Sequence, residues 1–379
     1  MPGTTTLARL ELRAFRNYEL AELEPAPGLT VVTGGNGEGK TNLLEAVAWL
    51  ATLSSFRGAP SEALVREGEE RAVLRASVVR TEPDGGARTT LVEAELTRTG
   101  RDRVLVNRSP LKRSRDLLGT LRTTVFSPDD LALVKGGPGE RRRFLDDLLV
   151  ACAPRHAATR ADLERVLRQR GALLRSSGGR ATPDVVTTLD VWDAKLTEVG
   201  EALGRARARL VERLSPLVSS AHAAVAGGGA GEVALGYAPA WQQQGLATAL
   251  ATARTEDLRR GVSTIGPHRD DLDVSLDGRP ARTHASQGEQ RSLALALRLA
   301  GHHLVAEVTG TWPVLLLDDV FSELDVARAA ALLRALPAGQ VLLTTAVGLP
   351  PGATPELVVG VREGRLLAPA GGSPVGDVG

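Results

Sequence analysis

The segment Leu29–Leu44 constrains the fold of this chain more than any other. The apolar run Leu29–Val32 predicts a buried strand, and Leu43, Leu44 and Val47 recur at helical spacing. Between strand and helix the sequence matches the P-loop pattern G-x-x-x-x-G-K-[ST] and reads Gly34, Gly35, Asn36, Gly37, Glu38, Gly39, Lys40, Thr41 and then Asn42. Glycines let backbone N–H groups close around phosphate oxygens, the lysine reaches the β and γ phosphates, and the threonine hydroxyl ligates Mg²⁺. The positive end of the helix adds to this attraction, so the segment predicts a nucleotide site.

Composition excludes several classes of protein. The chain has 379 residues, of which 42% are hydrophobic, so it can bury a full core in about two or three domains. Its single cysteine, Cys152, excludes an internal disulfide and a cysteine-ligated zinc cluster, and we expect its side chain to be buried. The sequence shows no basic leader and no apolar run near the ~18 residues of a membrane span. It therefore predicts a cytoplasmic protein with no membrane partner.

Strand patterns occur on both sides of the P-loop. Leu10, Leu12 and Phe15 indicate an N-terminal strand, and residues 71–107 alternate between apolar and polar types. The alternation is interrupted by the turn-forming residues Pro83, Asp84, Gly85 and Gly86. This region therefore predicts an antiparallel hairpin. A second, shorter hairpin should turn at Asp277 and Gly278.

The middle of the chain has the spacing of long helices. One helix should end near Ser176–Gly179, and leucines then recur every seven residues at Leu189, Leu196, Leu203, Leu210 and Leu217. Trp192 and Val199 occupy the second apolar position of this heptad pattern, which should also face the partner helix. The pattern predicts two helices packed antiparallel as a short coiled-coil arm, roughly 45 Å long. The glycine-rich run Gly227–Gly231 predicts the end of the arm.

Two local clusters of basic residues matter because the net charge of the whole chain is only +1. The first has one acid, Asp102, among Arg101, Arg103, Arg108, Lys112, Arg113 and Arg115, and the second is Arg141, Arg142 and Arg143. Such clusters either neutralise nucleic-acid phosphates or form a solvated charged face. Aromatic residues make up 3% of the chain, which leaves few platforms for unpaired bases and favours the backbone of duplex DNA.

A second apolar run, Val314–Leu317, ends in Asp318 and Asp319. A P-loop site needs a carboxylate at the tip of a neighbouring strand to hold Mg²⁺, and Asp318 is the candidate, together with Thr41. Asp319 is the candidate for polarising the attacking water, although a glutamate, with its longer reach, is more usual there. We therefore expect this strand to lie beside the P-loop despite their separation in the sequence.

The segment Ser286–Arg291 resembles the signature motif of ATP-binding-cassette ATPases. A serine hydroxyl, a glycine and a helix N-terminus all favour a phosphate, which makes Ser286, Gly288 and Glu289 candidate ATP contacts. In cassette ATPases the signature contacts ATP held by a second subunit. The resemblance therefore implies an ATP-dependent head-to-tail homodimer with two ATP molecules between its subunits.

Two further segments belong to the same comparison with cassette ATPases. Ser322–Asp325 resembles the D-loop that lines the dimer interface. Thr344 and Thr345 follow the apolar run Val341–Leu343 and occupy the place of the usual switch histidine. This departure from the pattern predicts slow hydrolysis.

Together these motifs resemble the RecF family of bacterial recombination mediators. The segments that carry the resemblance are Leu12–Tyr18, the P-loop, Phe126–Leu131, Lys135–Asp146, Gly266–Asp271, Ser286–Arg291 and Leu315–Asp325. The resemblance implies an α/β fold: a split ABC-type ATPase head like that of SMC proteins, with a mixed sheet, an N-terminal antiparallel β-subdomain and an inserted helical arm. The corresponding domains are 1–138 and 261–379 for the two halves of the head, and 139–260 for the arm.

The resemblance also implies a function. A RecF-type protein binds ATP and Mg²⁺, dimerises on double-stranded DNA near single-strand junctions, and is released by weak, DNA-dependent ATP hydrolysis. Its implied partners are RecR, RecO and the RecA pathway, and its implied location is the nucleoid. Arg16 and Asn17 should lie beside the nucleotide. His268 and Arg269 either contact phosphate or the dimer partner, or His268 makes a structural hydrogen bond in its loop.

Two other functions remain open from the sequence. The ATPase subunit of a membrane transporter shares the cassette motifs, although the inserted arm and the basic clusters disfavour it. A DNA scaffold that binds ATP without appreciable turnover is compatible with Asp319 and with the missing switch histidine.

Overall fold

The computed structural model describes residues 2–82, 84–226 and 230–367. The strands are β1 (Gly3–Phe15), β2 (Tyr18–Leu23), β3 (Leu29–Thr33), β4 (Arg71–Thr81), β5 (Ala87–Thr97), β6 (Arg103–Val106), β7 (Ser109–Pro110), β8 (Thr123–Phe126), β9 (Val233–Gly236), β10 (Asp273–Leu276), β11 (Arg279–Pro280), β12 (Thr311–Trp312), β13 (Val314–Asp318), β14 (Val341–Thr345), β15 (Leu357–Arg362) and β16 (Arg365–Leu367). The α-helices are α1 (Lys40–Thr52), α2 (Ala132–Lys135), α3 (Pro138–Cys152), α4 (His156–Ser176), α5 (Pro183–Ala226), α6 (Leu246–Arg260), α7 (Ala281–His284), α8 (Gln287–Thr309) and α9 (Val326–Ala335). Pro83 of the predicted turn and residues 227–229 of the predicted glycine run lie outside the described residues.

The chain forms two compact units. Unit 1 comprises Met1–Asp130, Ala221–Ala230 and Leu295–Gly379, and unit 2 comprises Leu131–Ser220 and Gly231–Ala294. Unit 1 therefore combines segments from both ends of the chain. The signature segment and Gly266–Asp271 fall in unit 2, with most of the long helices. The division at 1–138, 139–260 and 261–379 stays a prediction.

Unit 1 contains two sheets. In the first, the order is β16-β15-β3-β14-β13-β8, and the neighbours from β15 to β8 run parallel. In the second, β1, β4, β5, β6 and β7 are antiparallel neighbours, with β2 on β1 and the short β12 parallel to it. The mixed sheet and the antiparallel β-subdomain confirm the predicted fold class, and β4–β5 confirms the predicted hairpin.

The helix that follows the P-loop lies in the core of unit 1. Leu43, Leu44, Val47 and Leu50 of α1 are fully buried and share one hydrophobic cluster with residues of both sheets. The neighbouring strand β13 is buried at every position, as expected for a parallel strand covered on both faces. This packing fixes the N-terminal end of α1 against the ends of the parallel strands.

Unit 2 is built around α5, which is 44 residues long. Four of the five heptad leucines are buried, but Leu217 is only partly buried, and Leu214 and Val218 are buried in its place. A straight helix drifts by ~20° per heptad, which moves the buried face away from a strict seven-residue repeat. The small sheet β11-β10-β9 confirms the predicted turn at Asp277 and Gly278.

The prediction that Trp192 and Val199 lie on the buried face of α5 is wrong, because both side chains are partly exposed. Asp193 and Gly200 are buried instead. A Cβ atom on Gly200 would lie 2.5 Å from Leu246 Cδ2, so the glycine permits close packing of α5 on α6. The face of α5 is thus shaped by contacts that a two-helix heptad pattern does not contain.

Two further observations bear on the expectations from composition. Cys152, which was expected to be buried, ends α3 and is partly exposed. Among the described residues, none of the helices combines the length and the apolar character needed to cross a bilayer.

Candidate nucleotide site

The P-loop connects β3 to α1 in a tightly packed conformation. Gly39 precedes the first helical residue and has φ +119°, and a Cβ atom there would lie 2.7 Å from Asn17 Nδ2. A larger residue at this position would therefore be both strained and in collision. Lys40 Nζ donates to Gly35 O at 2.7 Å, so the lysine side chain folds back over the loop.

The tip of β13 meets the first turn of α1. Thr41 Oγ1 donates to Asp318 Oδ1 at 2.8 Å, and Thr344 Oγ1 of the neighbouring strand β14 donates to the same oxygen at 2.8 Å. Burial raises the pKa of Asp318, and the hydrogen bonds from Thr41 and Thr344 oppose that rise. The predicted adjacency of Thr41 and Asp318 is confirmed.

Asp319 adopts a left-handed conformation immediately after β13. Its φ is 48°, a region in which Asp and Asn are enriched among non-glycine residues. Its N–H donates to Thr344 Oγ1 at 3.0 Å, and its buried Oδ1 has no hydrogen-bond partner within the described part of the chain. A buried carboxylate oxygen without a donor fits a group that awaits a water or a ligand.

Arg16 and Asn17 lie on the wall of the same cleft. Arg16 Nε and Nη2 donate in a fork to Glu45, each at 2.8 Å, and Glu45 is fully buried. Asn17 Nδ2 donates to Glu38 O at 2.8 Å, and Asn42 Nδ2 donates to Asn17 Oδ1 at 2.9 Å. The guanidinium of Arg16 therefore braces α1, whereas Asn17 and Asn42 support the P-loop.

The cleft has a volume of about 1070 Å³. Its lining includes the P-loop residues Asn36, Gly37, Gly39, Lys40 and Thr41, together with Asp319. It also includes Arg57, Arg66 and Arg98, which the sequence analysis missed because they belong to no motif. Together with Lys40 they outnumber the lining acids Glu62, Glu67 and Asp319, which leaves a small positive excess suited to a polyphosphate.

Thr41 and Asp318 are suited to Mg²⁺. Within the described part of the chain, no group of three or more His, Cys, Asp or Glu side chains is placed to hold a metal ion. Mg²⁺ typically binds through one or two protein oxygens, substrate phosphates and water. One hydroxyl and one carboxylate beside a phosphate loop fit that requirement.

The signature segment begins α8 with a capping box. Ser286 N–H donates to Glu289 Oε2 at 2.7 Å, and Glu289 N–H is 3.4 Å from Ser286 Oγ. This is the reciprocal pattern of S-x-x-E, which is visible in the sequence as Ser286 and Glu289. Gln290 is buried and donates to Arg282 O at 3.2 Å, which ties the first turn of α8 to α7. Roles for Ser286, Gly288 and Glu289 in ATP contact stay predictions.

The Gly266–Asp271 loop is held by hydrogen bonds within unit 2. His268 Nε2 is 3.0 Å from Ser263 O, and the Arg269 guanidinium donates to the same carbonyl at 3.0 Å. Asp270 accepts from Tyr237 at 2.6 Å and from Trp241 at 3.0 Å. His268 therefore makes the structural hydrogen bond in its loop, and a contact of His268 or Arg269 with phosphate or the dimer partner stays a prediction.

One candidate DNA contact is wrong, and a second is partly engaged inside the protein. Arg141 is 6% exposed and donates in a fork to Asp271 at 2.8 and 2.7 Å, so its charge is neutralised in the interior. Arg142 is partly buried and donates to Asp270 O at 2.8 Å, and burial lowers its pKa. The other candidates are exposed in unit 1, namely Arg108, Lys112, Arg113 and Arg115. Arg113 pairs with Asp116 at 3.0 Å.

A parallel sheet, a P-loop and an acidic strand tip from the far end of the chain define a P-loop protein with a split ATPase-type head. The chain matches the family model described as "RecF/RecN/SMC N terminal domain" over residues 6–346. It is 46% identical over 362 residues to the DNA replication and repair protein RecF of Frankia alni, which covers 90% of this chain and 93% of the relative. With RecF of Kineococcus radiotolerans the identity is 44% over 401 residues, covering 98% and 100% of the two chains. The chain belongs to the RecF family.

Solved structures agree with this membership. One described as the recombination mediator protein RecF-ATP in the RecFOR pathway has a TM-score of 0.86 at 28% identity, covering 97% of this chain and 98% of that one. An Smc head domain from Pyrococcus furiosus, with a TM-score of 0.56 and 16% identity over 96% and 95% of the chains, shares the fold. Family membership confirms the resemblance inferred from the motifs, and it favours a RecF-type protein over a transporter subunit.

Proposed function

We propose that this protein is an ATP-dependent DNA-binding protein of replication and recombinational repair, in which ATP and Mg²⁺ occupy the P-loop cleft. The observation that carries the proposal is the hydrogen bond between Thr41 and Asp318, at 2.8 Å, beside Lys40. It supports the proposal because the carboxylate that would hold Mg²⁺ lies directly beside the phosphate loop. The name RecF-ATP of a solved relative supports the choice of nucleotide.

Each residue of the site has a defined part in this proposal. Lys40 leaves the Gly35 carbonyl and binds the β and γ phosphates, while loop N–H groups bind the remaining phosphate oxygens. Thr41 and Asp318 hold Mg²⁺, which when bound offsets negative charge on the phosphates. Asp319 orients the attacking water through its unpartnered oxygen, a role worth about 10²–10⁴-fold in rate.

ATP binding should create a binding surface for a second copy of the chain. Ser286 and the exposed N-terminal end of α8 then contact the ATP of that second copy, giving a head-to-tail dimer. Duplex DNA near single-strand junctions is the proposed nucleic-acid partner, through the exposed residues Arg108, Lys112 and Arg115. Two solved relatives are described as recombination mediators of the RecFOR pathway, which supports RecR and RecO as protein partners, with RecA loading as the outcome.

A second candidate is a DNA scaffold that binds ATP with little turnover. Thr344 is engaged with Asp318 and Asp319 and cannot replace a histidine as a proton-transfer group. The scaffold would bind DNA and ATP through the same residues, but hydrolysis would not drive its release.

Retention on gapped duplex DNA separates these functions. The protein is measured with ATP, ADP or no nucleotide, as wild type, Lys40→Ala and Asp319→Asn. We expect ATP to increase retention of the wild type, Lys40→Ala to abolish that increase, and Asp319→Asn to prolong it. If DNA binding ignores nucleotide in every variant, the proposal is wrong. Phosphate release that clearly exceeds the Lys40→Ala background excludes the scaffold.

A further inference from the structure

The hairpin β15–β16 runs beside the entrance to the P-loop. β15 is parallel to β3, with Gly360 opposite Thr33, the last residue before the loop. The hairpin turns at Glu363 and Gly364, which have φ values of 49° and 70°. Positive φ at both central residues is the requirement of the two-residue turn that matches strand twist. The turn therefore suits the twist of its two strands, and strand pairing sets its position relative to the P-loop.

The turn bonds directly to a P-loop residue. Gly364 N–H donates to Glu38 O at 3.0 Å, and Glu363 N–H donates to the Glu38 carboxylate in a short hydrogen bond. Asn17 Nδ2 donates to the same Glu38 carbonyl at 2.8 Å. Glu38 lies two residues before Lys40, so the peptide that leads into the lysine is held by two separate elements.

The hairpin lies so close to Asn17 and to the start of the P-loop that both Gly364 and Gly34 must be glycine. A Cβ atom on Gly364 would lie 2.3 Å from Asn17 O, and one on Gly34, at the start of the P-loop, would lie 2.4 Å from Val361 O. The hairpin thus contacts the P-loop at Gly34 and at Glu38, and neither Gly34 nor Gly364 has space for a side chain.

We propose that the Glu363–Gly364 turn and Glu38 form a clasp that preorganises the P-loop for phosphate. The inference rests on the proposed nucleotide binding and adds positioning residues to it. A glycine-rich loop loses much conformational entropy when it becomes ordered. A loop ordered before the ligand arrives avoids that loss during binding, which raises affinity without a new ligand contact. Glu38, Glu363 and Gly364 act through the loop backbone.

A matched pair of glycine substitutions tests the clasp. Gly364→Ala introduces the collision with Asn17, whereas Gly310→Ala has the same φ of 70° and no atom within 4 Å of its new Cβ. The affinity for mant-ATP, hydrogen exchange of residues 34–41 in the nucleotide-free protein, and the Tm are measured for both. We expect Gly364→Ala to weaken mant-ATP binding about tenfold, equivalent to ~1.4 kcal/mol, and to accelerate exchange of the loop. Gly310→Ala should leave both properties unchanged. Equal behaviour of the two variants would overturn the clasp.

Glu38 provides a second test that does not depend on folding of Gly364→Ala. Glu38→Ala removes the acceptor for Glu363 N–H and should weaken mant-ATP binding by about threefold to tenfold. Glu38→Gln keeps an oxygen acceptor and should restore most of the affinity. Indistinguishable affinities of Glu38→Ala and Glu38→Gln would contradict the clasp. If the wild type binds no mant-ATP, the proposed function fails, and exchange at residues 34–41 still decides whether the turn orders the loop.

Discussion

Thr41 Oγ1 lies 2.8 Å from Asp318 Oδ1, although the two residues are 277 positions apart in the chain. The contact joins the first turn of α1 to the tip of β13, so unit 1 cannot form its cleft without segments from both ends of the chain. The mechanism proposed for ATP and Mg²⁺ depends on this pair.

The first prediction concerns the cost of burying Asp318. Burial raises its folded-state pKa, so its contribution to stability is present at low pH and is lost as the pH rises through that pKa. Asp318→Asn should therefore raise the Tm of the nucleotide-free protein at pH 7, by about 1–3 °C. The difference should shrink as the pH falls toward 4. The same variant should lose Mg²⁺-dependent ATP binding, and a lower Tm than wild type at pH 7 would contradict this account.

The second prediction concerns Asp319 and hydrolysis. Asp319→Asn keeps the left-handed backbone, which Asn tolerates, but removes the carboxylate that orients water. Steady-state phosphate release should fall about 10²-fold or more, while ATP affinity stays within about twofold. Lys40→Ala sets the background of the assay. A rate equal to that of wild type would exclude Asp319 as the catalytic group.

The third prediction compares a buried with an exposed arginine in unit 2. Arg170 is fully buried and pairs with Asp193 and Asp257, each at 2.7 Å. Arg170→Met leaves Asp257 buried without its ion pair and should cost about 3–5 kcal/mol in urea unfolding. Arg160→Met breaks an exposed pair with Asp147 and should cost less than ~1 kcal/mol. Similar costs for the two variants would contradict the importance assigned to burial.

The fourth prediction concerns the exposed basic cluster of unit 1. Arg108→Ala and Arg115→Ala should each weaken duplex binding. Each should also make the negative slope of log K against log salt less steep by about 0.9. Arg88→Ala, an exposed arginine of β5 outside the cluster, is the control. If all three variants bind DNA like the wild type at every salt concentration, the cluster is a solvated face.

The sequence predicted those parts of the site that have a fixed spacing. Gly34–Thr41 could be recognised because phosphate binding requires glycines, a lysine and a hydroxyl at set intervals. Asp318 could be recognised because it ends an apolar run. Local chemistry of this kind is visible in a few adjacent residues.

Side chains whose role depends on distant partners could not be assigned in this way. The sequence does not reveal that Arg141 is neutralised by Asp271, 130 residues away, so the basic cluster predicts either a DNA contact or a solvated face, and Arg141 forms neither. Arg57 belongs to no motif and reaches the cleft only through the path of the chain after α1. Trp192 follows the heptad pattern, but packing of α5 against α6 at Gly200 sets the buried face.

Sedimentation velocity with saturating Mg²⁺-ATP tests directly whether ATP drives head-to-tail dimerisation of this protein. Asp319→Asn is used to slow hydrolysis, with Lys40→Ala and the nucleotide-free protein as controls. We expect ATP to convert Asp319→Asn from a monomer into a species of twice the mass, and we expect Ser286→Arg in the same background to bind ATP but stay monomeric. A protein that remains monomeric at saturating ATP would contradict this expectation.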